Sequence, residues 1–196
     1  MESSKLNVYN EMARILRKID NTRDFPSTKV LLANIRNSIN RDISNNMVAL
    51  AFIFQNMSEE FIGNRKELND YEKAILTAIQ MYALHQQANL NSVLKLDYKE
   101  GERRQNLGDA LSTLRNDDSK SIDRRFNAMI TSSNFSELQH HLRQLIKLLK
   151  AKSEAKVDYA SLADDLYWFL KKQKDGVKIK WSRSYYKFRK KVEGED

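Results

Sequence analysis

The sequence predicts an all-α protein, a helical bundle of about eight to nine helices in two packed lobes. Apolar residues recur with a helical period over most of the 196 residues. One proline and five glycines are too few for the many turns of an all-β fold. A chain of this length can also bury a real hydrophobic core.

The N-terminal part contains two amphipathic patterns and one apolar segment. The first pattern places five residues on one face: Val8, Met12, Ile15, Leu16 and Ile19. A new helix starts at Pro26-Ser27, because proline disfavours continuation of the preceding helix. Its apolar residues are Val30, Leu31, Ile35 and Ile39. Residues 47–57 are apolar on most sides, which indicates a buried segment.

The strongest amphipathic pattern follows Asn69. Asn69 and Glu72 predict a capping box, in which the Asn side chain accepts from the backbone and Glu reaches back. The apolar face that follows consists of Tyr71, Ala74, Ile75, Ala78, Ile79 and Tyr82. From Asn89 to Arg104 the periodicity fades and the charge rises, which predicts a mobile loop.

Helical spacing resumes after this loop. The predicted helices lie at Leu107–Leu114, after a cap at Ser121, at Leu138–Leu149 and after a cap at Asp158. Gly176-Val177 is predicted to end the last of these. A short final helix places three apolar residues on one face: Trp181, Tyr185 and Phe188.

Gly108 lies inside a helical pattern, where glycine costs ~1 kcal/mol relative to alanine. A close helix crossing would offset this cost, because a missing Cβ lets two backbones approach. We therefore expect a structural role for Gly108.

The loop divides the chain into four predicted parts. They are an N-terminal helical lobe at 1–90, a mobile loop at 91–104, a C-terminal helical lobe at 105–186 and a basic tail at 187–196. Disorder is one interpretation of the tail.

The positive charge of the chain is local. The formal net charge is +8, and residues 171–191 alone contain ten Lys or Arg and one acid. Such a local excess indicates a polyanionic partner.

Cysteine is absent, which suits a reducing compartment. No signal peptide is visible, and the longest apolar run, Met47–Phe54, is too short to span a bilayer. We expect a cytoplasmic protein that does not bind membranes.

The sequence contains no pattern of a catalytic or metal site, so we expect no enzyme activity and no cofactor. His140 and His141 are adjacent and point about 100° apart on a helix, so the pair cannot chelate one ion alone. Asp117-Asp118 and Asp164-Asp165 are adjacent pairs too, poorly placed for a two-metal site. A solvated or capping role is the default for these acids.

Five short motifs occur in a fixed order between Gln80 and Tyr186. They are Tyr82-Ala83-Leu84-His85-Gln86, Asn106 to Leu111, Arg124-Arg125-Phe126, Glu137 to Arg143, and Val157-Asp158 through Tyr167, closing at Trp181 and Tyr185-Tyr186. In this order and spacing the chain resembles the CasB family, the small subunit of the type I-E CRISPR Cascade complex. Ala33-Asn34-Ile35-Arg36 resembles the arginine-bearing N-terminal helix of that family, so the resemblance covers roughly residues 28–186.

This resemblance implies a role rather than a reaction. It implies a helical, non-enzymatic protein, present as a pair, that helps an RNA-guided complex hold opened target DNA. The implied partners are the Cascade backbone and large subunits, the guide RNA, the target DNA and a second copy of the chain.

Several groups of cations are candidates for binding nucleic acid. The 137–150 helix places His140, Arg143, Lys147 and Lys150 on the face opposite its apolar stripe. An ordinary solvated helix face is the alternative. Arg124 and Arg125 match a family motif, but an ion pair with Asp109 or Glu137 is an equal alternative. The predicted nucleic-acid-binding residues are Arg36, Arg103, Arg104, Arg124, Arg125, His140, Arg143, Lys147, Lys150, Lys178, Lys180, Arg183 and Lys187.

Two other functions remain open at this point. A free-standing helical DNA- or RNA-binding regulator would need a recognition helix for base edges, and no helix-turn-helix spacing is evident. A purely structural scaffold would use its charge to meet acidic protein surfaces.

Overall fold

The computed structural model describes residues 6–39, 46–116 and 119–187, and these residues form a bundle of α-helices. The helices of this part are α1 (Val8–Asn21), α2 (Pro26–Asn37), α3 (Met47–Asn56), α4 (Asp70–Gln86), α5 (Leu107–Leu111), α6 (Lys120–Ile130), α7 (Phe135–Lys152), α8 (Tyr159–Trp168) and α9 (Lys174–Tyr186). The described residues contain no β-strand, only an isolated parallel bridge between Leu94 and Val157. The predicted all-α fold is confirmed.

Two helices begin at the caps that the sequence predicts. The Glu72 N–H group donates to Asn69 Oδ1 at 2.9 Å, and the Asn69 N–H group donates to Glu72 Oε2 at 2.6 Å. This reciprocal pair is the predicted capping box of α4. Asp158 caps α8 by accepting from the Ser161 N–H group at 2.7 Å.

Two other predicted boundaries are wrong. Helix α6 already begins at Lys120, so Ser121 lies inside its first turn. Gly176 does not end a helix, because it lies within α9. The helix is interrupted earlier, at Lys172, whose φ of 65° lies in the left-handed region. A single left-handed residue breaks a helix, whereas a glycine with helical angles only weakens it.

Helices α4 and α8 form the centre of the bundle. Every residue from Ala74 to Gln86 is buried, so the predicted apolar face of α4 is only part of its buried surface. Helix α8 packs against α1 and α4, while α7 packs against α4 and α6. Most of the surface left for partners therefore belongs to the outer helices and to the connections.

Residues 91–104 connect the two halves of the chain and also pair with the segment before α8. The Lys95 N–H group donates to the Val157 carbonyl at 3.0 Å, and the Val157 N–H group donates to the Val93 carbonyl at 2.9 Å. The mobility of residues 91–104 and the division into two lobes stay predictions.

Gly108 marks a close crossing of α5 and α9, as its sequence context predicts. A Cβ atom on Gly108 would lie 2.1 Å from the Trp181 carbonyl oxygen. Trp181 and Tyr185 are fully buried, so α9 cannot retreat without exposing two large aromatic rings. The missing side chain is therefore what lets α9 pack on the bundle.

We expect Gly108→Ala to lower the free energy of unfolding by about 1–3 kcal/mol, because the added methyl group forces packed backbones apart. Gly176→Ala is the matched control, since no atom lies within 4 Å of its Cβ position. Alanine within α9 should instead stabilise the protein by roughly 0.5–1 kcal/mol. Urea unfolding followed by circular dichroism measures both variants. Similar effects of the same sign would argue against the close crossing.

His85 is a buried histidine of α4. Its Nδ1 atom lies 2.9 Å from the Tyr159 hydroxyl oxygen, and the residue is 1% exposed. Burial, and secondarily the charge of Lys150, lowers the pKa of His85 to about 4. The imidazole is therefore neutral in the folded protein at neutral pH.

We expect the protein to lose about 2 kcal/mol of stability as the pH falls from about 7.5 to about 5. In this window the unfolded His85, with its ordinary pKa of 6.5, takes up a proton that the folded residue does not. The unfolded state then binds more protons, so acid favours unfolding. Chemical denaturation at both pH values measures the loss. His85→Gln should remove most of this pH dependence, and an unchanged dependence would assign it to another group.

Candidate nucleic-acid interface

Two sets of cations lie on the surface of the bundle. The first set lines an open groove of about 740 Å³ between residues 103–106 and α9, called here the α9 groove. Its cations are Arg103, Arg104, Lys180, Arg183 and Lys187. The second set, called here the α7 row, consists of the cations Arg143, Lys147 and Lys150 together with His140. The α9 groove thus combines cations from two distant parts of the sequence.

Arg103 and Arg104 are held in the α9 groove by different contacts. Arg103 donates to both carboxylate oxygens of Asp109, at 2.6 and 3.1 Å, and this hydrogen bonding raises the pKa of Arg103. The Arg104 guanidinium carbon lies 3.9 Å from the centre of the Tyr9 ring. Arg104 forms no salt bridge within the described ranges, so its N–H groups can meet an anion.

Tyr98 anchors the backbone beside these arginines. Its hydroxyl donates to Asp158 Oδ2 at 2.8 Å and accepts from the Gln105 N–H group at 3.1 Å. Burial, together with the Asp158 carboxylate, raises the pKa of Tyr98. Since Asp158 is only 1% exposed, the segment carrying the arginines is tied to the interior of the protein.

Asp165 fixes the opposite wall of the groove. This carboxylate accepts from Lys180 Nζ and from Trp181 Nε1, both at 2.7 Å. Burial raises the pKa of Asp165, although the positive charge of Lys180 opposes the shift. Asp165 therefore has a structural role that its sequence context did not indicate.

The cations of α9 divide into engaged and free ones. Lys180 is paired with Asp165, and Lys178 Nζ donates to the Ser132 carbonyl at 2.9 Å. Arg183 and Lys187 are exposed and form no salt bridge with any described residue. Arg183 of α9 and Lys187, the residue directly after α9, are therefore best placed to meet a phosphate.

The α7 row contains exposed and half-buried members. His140 and Lys147 are exposed, while Arg143 and Lys150 are half-buried. The Arg143 Nε atom is buried without a hydrogen-bond partner among the described residues. Burial, and then the charge of Arg36, lowers the pKa of Lys150. Arg36 of α2 therefore lies near the end of the α7 row.

Arg124 and Arg125 stand apart from both sets. Both side chains are exposed on α6, and neither forms a salt bridge within the part of the chain described. The alternative of an ion pair with Asp109 or Glu137 is wrong here. Asp109 pairs with Arg103, and Glu137 accepts from the Ser133 N–H group at 2.7 Å.

A third basic surface was missed by sequence reasoning. An open groove of about 1050 Å³ lies between the ends of α4 and α7, called here the α4–α7 groove. Its cations are Arg23, Lys150, Lys152 and Lys156, and its single acid is Glu154. Lys152 and Lys156 follow the α7 row in the sequence, but only the fold brings Arg23 beside them.

The described residues contain no group of three or more His, Cys, Asp or Glu side chains able to hold a metal ion. Asp117-Asp118 of the sequence lies outside these residues, as do Phe188 and the rest of the tail to Asp196. No helix within the described ranges is long and apolar enough to cross a membrane.

Solved structures share this fold at low sequence identity. CasB from Thermobifida fusca superposes with a TM-score of 0.72 at 22% identity, covering 92% of this chain and 98% of that one. A Cse2-family CRISPR-associated protein from Thermus thermophilus gives 0.64 at 21% identity, with 89% and 97% covered. M. ruber CasB gives 0.63 at 22% identity, with 93% and 94% covered. No curated protein sequence matches the chain.

The sequence model of one protein family matches residues 31–186, which is most of the chain. The description of that family is CRISPR-associated protein Cse2. The match includes every motif on which the predicted resemblance rests, from Ala33–Arg36 to Tyr185-Tyr186. The chain therefore belongs to the Cse2 (CasB) family of CRISPR-associated proteins.

Proposed function

We propose that this protein is a non-catalytic small subunit of a type I-E CRISPR Cascade complex that stabilises an opened DNA target. Membership in the Cse2 family supports the Cascade role. The single observation that carries the nucleic-acid role is the α9 groove, where arginines of the connecting segment face cations of α9.

The arrangement of the cations favours contact with phosphates. A nucleic-acid backbone carries charge at regular intervals, so a series of cations along a surface can follow it. Arg104 and Arg183 form no salt bridge with any described residue, and their guanidinium N–H groups suit the oxygens of a phosphate. Contacts of this kind hold a strand without reading its bases.

Opening duplex DNA against a guide RNA exchanges one set of base pairs for another of similar stability. Protein contacts to the strands can therefore tip the balance toward the opened state. In this proposal, cations of the α9 groove and the α7 row hold strand backbones and slow reclosure of the duplex. Base pairing with the guide supplies sequence specificity, so the protein needs none.

The same proposal includes the protein partners. The backbone and large subunits of the complex and a second copy of this chain would contact surfaces that the cations leave free. Co-purification separates this role from the alternatives of a free-standing regulator or a scaffold. Guide RNA together with large backbone subunits supports the Cascade role, whereas a defined operator DNA supports a regulator.

Replacing Arg143, Lys147 and Lys150 with Glu should lower the affinity for single-stranded DNA by about tenfold or more, because three phosphate-binding charges are reversed. Opening of matched target DNA by the assembled complex should fall as well. Helix α7 keeps its apolar stripe in this variant, and circular dichroism checks the fold.

The matched control reverses three exposed cations elsewhere, Lys29, Arg65 and Lys66. Its net charge changes equally, so it should bind and open DNA nearly as well as the parent. Equal losses in the two triple variants would mean that only net charge matters. Normal opening by the α7 variant would exclude the α7 row as a binding surface.

The α9 groove should contribute separately to salt dependence. Arg104→Gln with Arg183→Gln should reduce the slope of log K against log salt by about 0.7 for each phosphate that the variant no longer neutralises. Lys178→Gln is the control, because the Lys178 ammonium already donates to a carbonyl within the protein. Fluorescence anisotropy of labelled single strands over a salt series measures the slopes. An unchanged slope in the double variant would remove the groove from the interface.

A further inference from the structure

The connection that follows α4 presents a large apolar side chain to solvent. Leu90 is 91% exposed, more than any other large apolar side chain among the described residues. It lines the α4–α7 groove. A single exposed leucine is ordinary on a protein surface. Whether Leu90 has a role in binding therefore depends on its backbone conformation and on the residues around it.

Hydrogen bonds fix the backbone on both sides of Leu90. The buried Gln86 side chain donates to the Asn89 carbonyl at 3.0 Å and to the Asn91 carbonyl at 2.9 Å. The Asn89 side chain donates to the His85 carbonyl at 2.7 Å. One buried amide thus holds the residues immediately before and after Leu90.

The backbone angle of Ala88 shows that the surrounding structure imposes the conformation of the loop that carries Leu90. The Ala88 φ of 62° lies in the left-handed region, which residues with a Cβ atom rarely adopt. Such conformations persist where the surrounding structure enforces them, and they are concentrated at functional sites. The loop therefore keeps an exposed apolar side chain in a defined and strained setting.

The surroundings of Leu90 are basic. Lys152 and Lys156 are exposed and form no salt bridge with any described residue, and Arg23 is shared between two nearby acids. Lys150, the last cation of the α7 row, donates to the Gln87 side chain at 3.0 Å. The α4–α7 groove therefore continues the α7 row and ends at Leu90.

We propose that Leu90 is a wedge that packs against an unpaired base of a strand whose phosphates are bound by the surrounding lysines. The inference rests on the proposed function and adds a nucleobase as the ligand of this groove. Apolar side chains inserted at a base step partly unstack it, while neighbouring cations hold the backbone. A protein surface fits less well, because the cores of protein interfaces are poor in lysine.

The test uses single-stranded DNA that contains 2-aminopurine, whose fluorescence rises when the base is unstacked. The parent protein should raise the signal. Leu90→Ala should abolish most of that rise and weaken binding roughly threefold to tenfold. Leu90→Met keeps an apolar side chain and should restore the signal. Val30→Ala removes another exposed apolar side chain, 61% exposed on α2, and should change nothing.

The outcomes distinguish this inference from the proposed function. DNA binding with the same fluorescence rise in the parent and Leu90→Ala would overturn the wedge alone. Normal fluorescence with failed assembly of Leu90→Ala into the complex would also overturn it, since Leu90 would then be a protein anchor. Absence of single-strand binding by the parent protein would overturn both proposals. Leu90 is exposed, so unfolding midpoints of all variants should match and thereby confirm that each one folds.

Discussion

Two buried carboxylates, one at the N-cap of helix α8 and one within the helix, hold both walls of the α9 groove. Asp158 and Asp165 are separated by about two helical turns along the chain. Asp158 accepts from Tyr98 and so fixes the connecting segment, while Asp165 accepts from Trp181 and so fixes α9. Removing the partner of a buried carboxylate is strongly destabilising. The interactions that support the core thus also determine where the candidate binding surface lies.

Carboxylates within the protein also limit how strongly the groove can attract an anion. Arg103 is paired with Asp109 and Lys180 with Asp165, so these two cations present less unneutralised charge than their number indicates. The Arg103–Asp109 pair is exposed enough to contribute little to stability, whereas the carboxylate of Asp165 is buried, so its pair with Lys180 also supports the fold. Both pairs position the cations. Arg104 is held against the Tyr9 ring and forms no salt bridge with a described residue, so its guanidinium group is better placed to meet a partner.

The sequence predicts those features that depend on neighbouring residues. The Asn69 and Glu72 box is local, since both partners lie within one helical turn. Gly108 predicts a close crossing, because a glycine within a helical pattern needs compensation. Gly176 wrongly predicts a helix end, because a glycine weakens a helix only slightly and does not by itself end it. The helix is interrupted instead at Lys172, whose backbone angles are not helical. The sequence alone favours a solvated or capping role for Asp165, because nothing nearby in sequence reveals Trp181 as its partner.

The candidate interface was predictable only in part for a related reason. The α7 row repeats along one helix, so its spacing is visible in the sequence. The α9 groove needs the fold, because Arg104 and Arg183 meet only after α9 packs back across α5. Helices α4 and α8 are largely buried, so the proposed contacts with a strand fall to the outer helices. Exposed cations such as Lys147 and Arg183 can then change with little effect on the core, whereas Lys180 couples binding to stability through Asp165. In the proposed role, the protein only tips a nearly balanced exchange of base pairs, which needs modest affinity from several such cations. Under this proposal, distributing them over the surface of a helical bundle meets that requirement without a recognition helix.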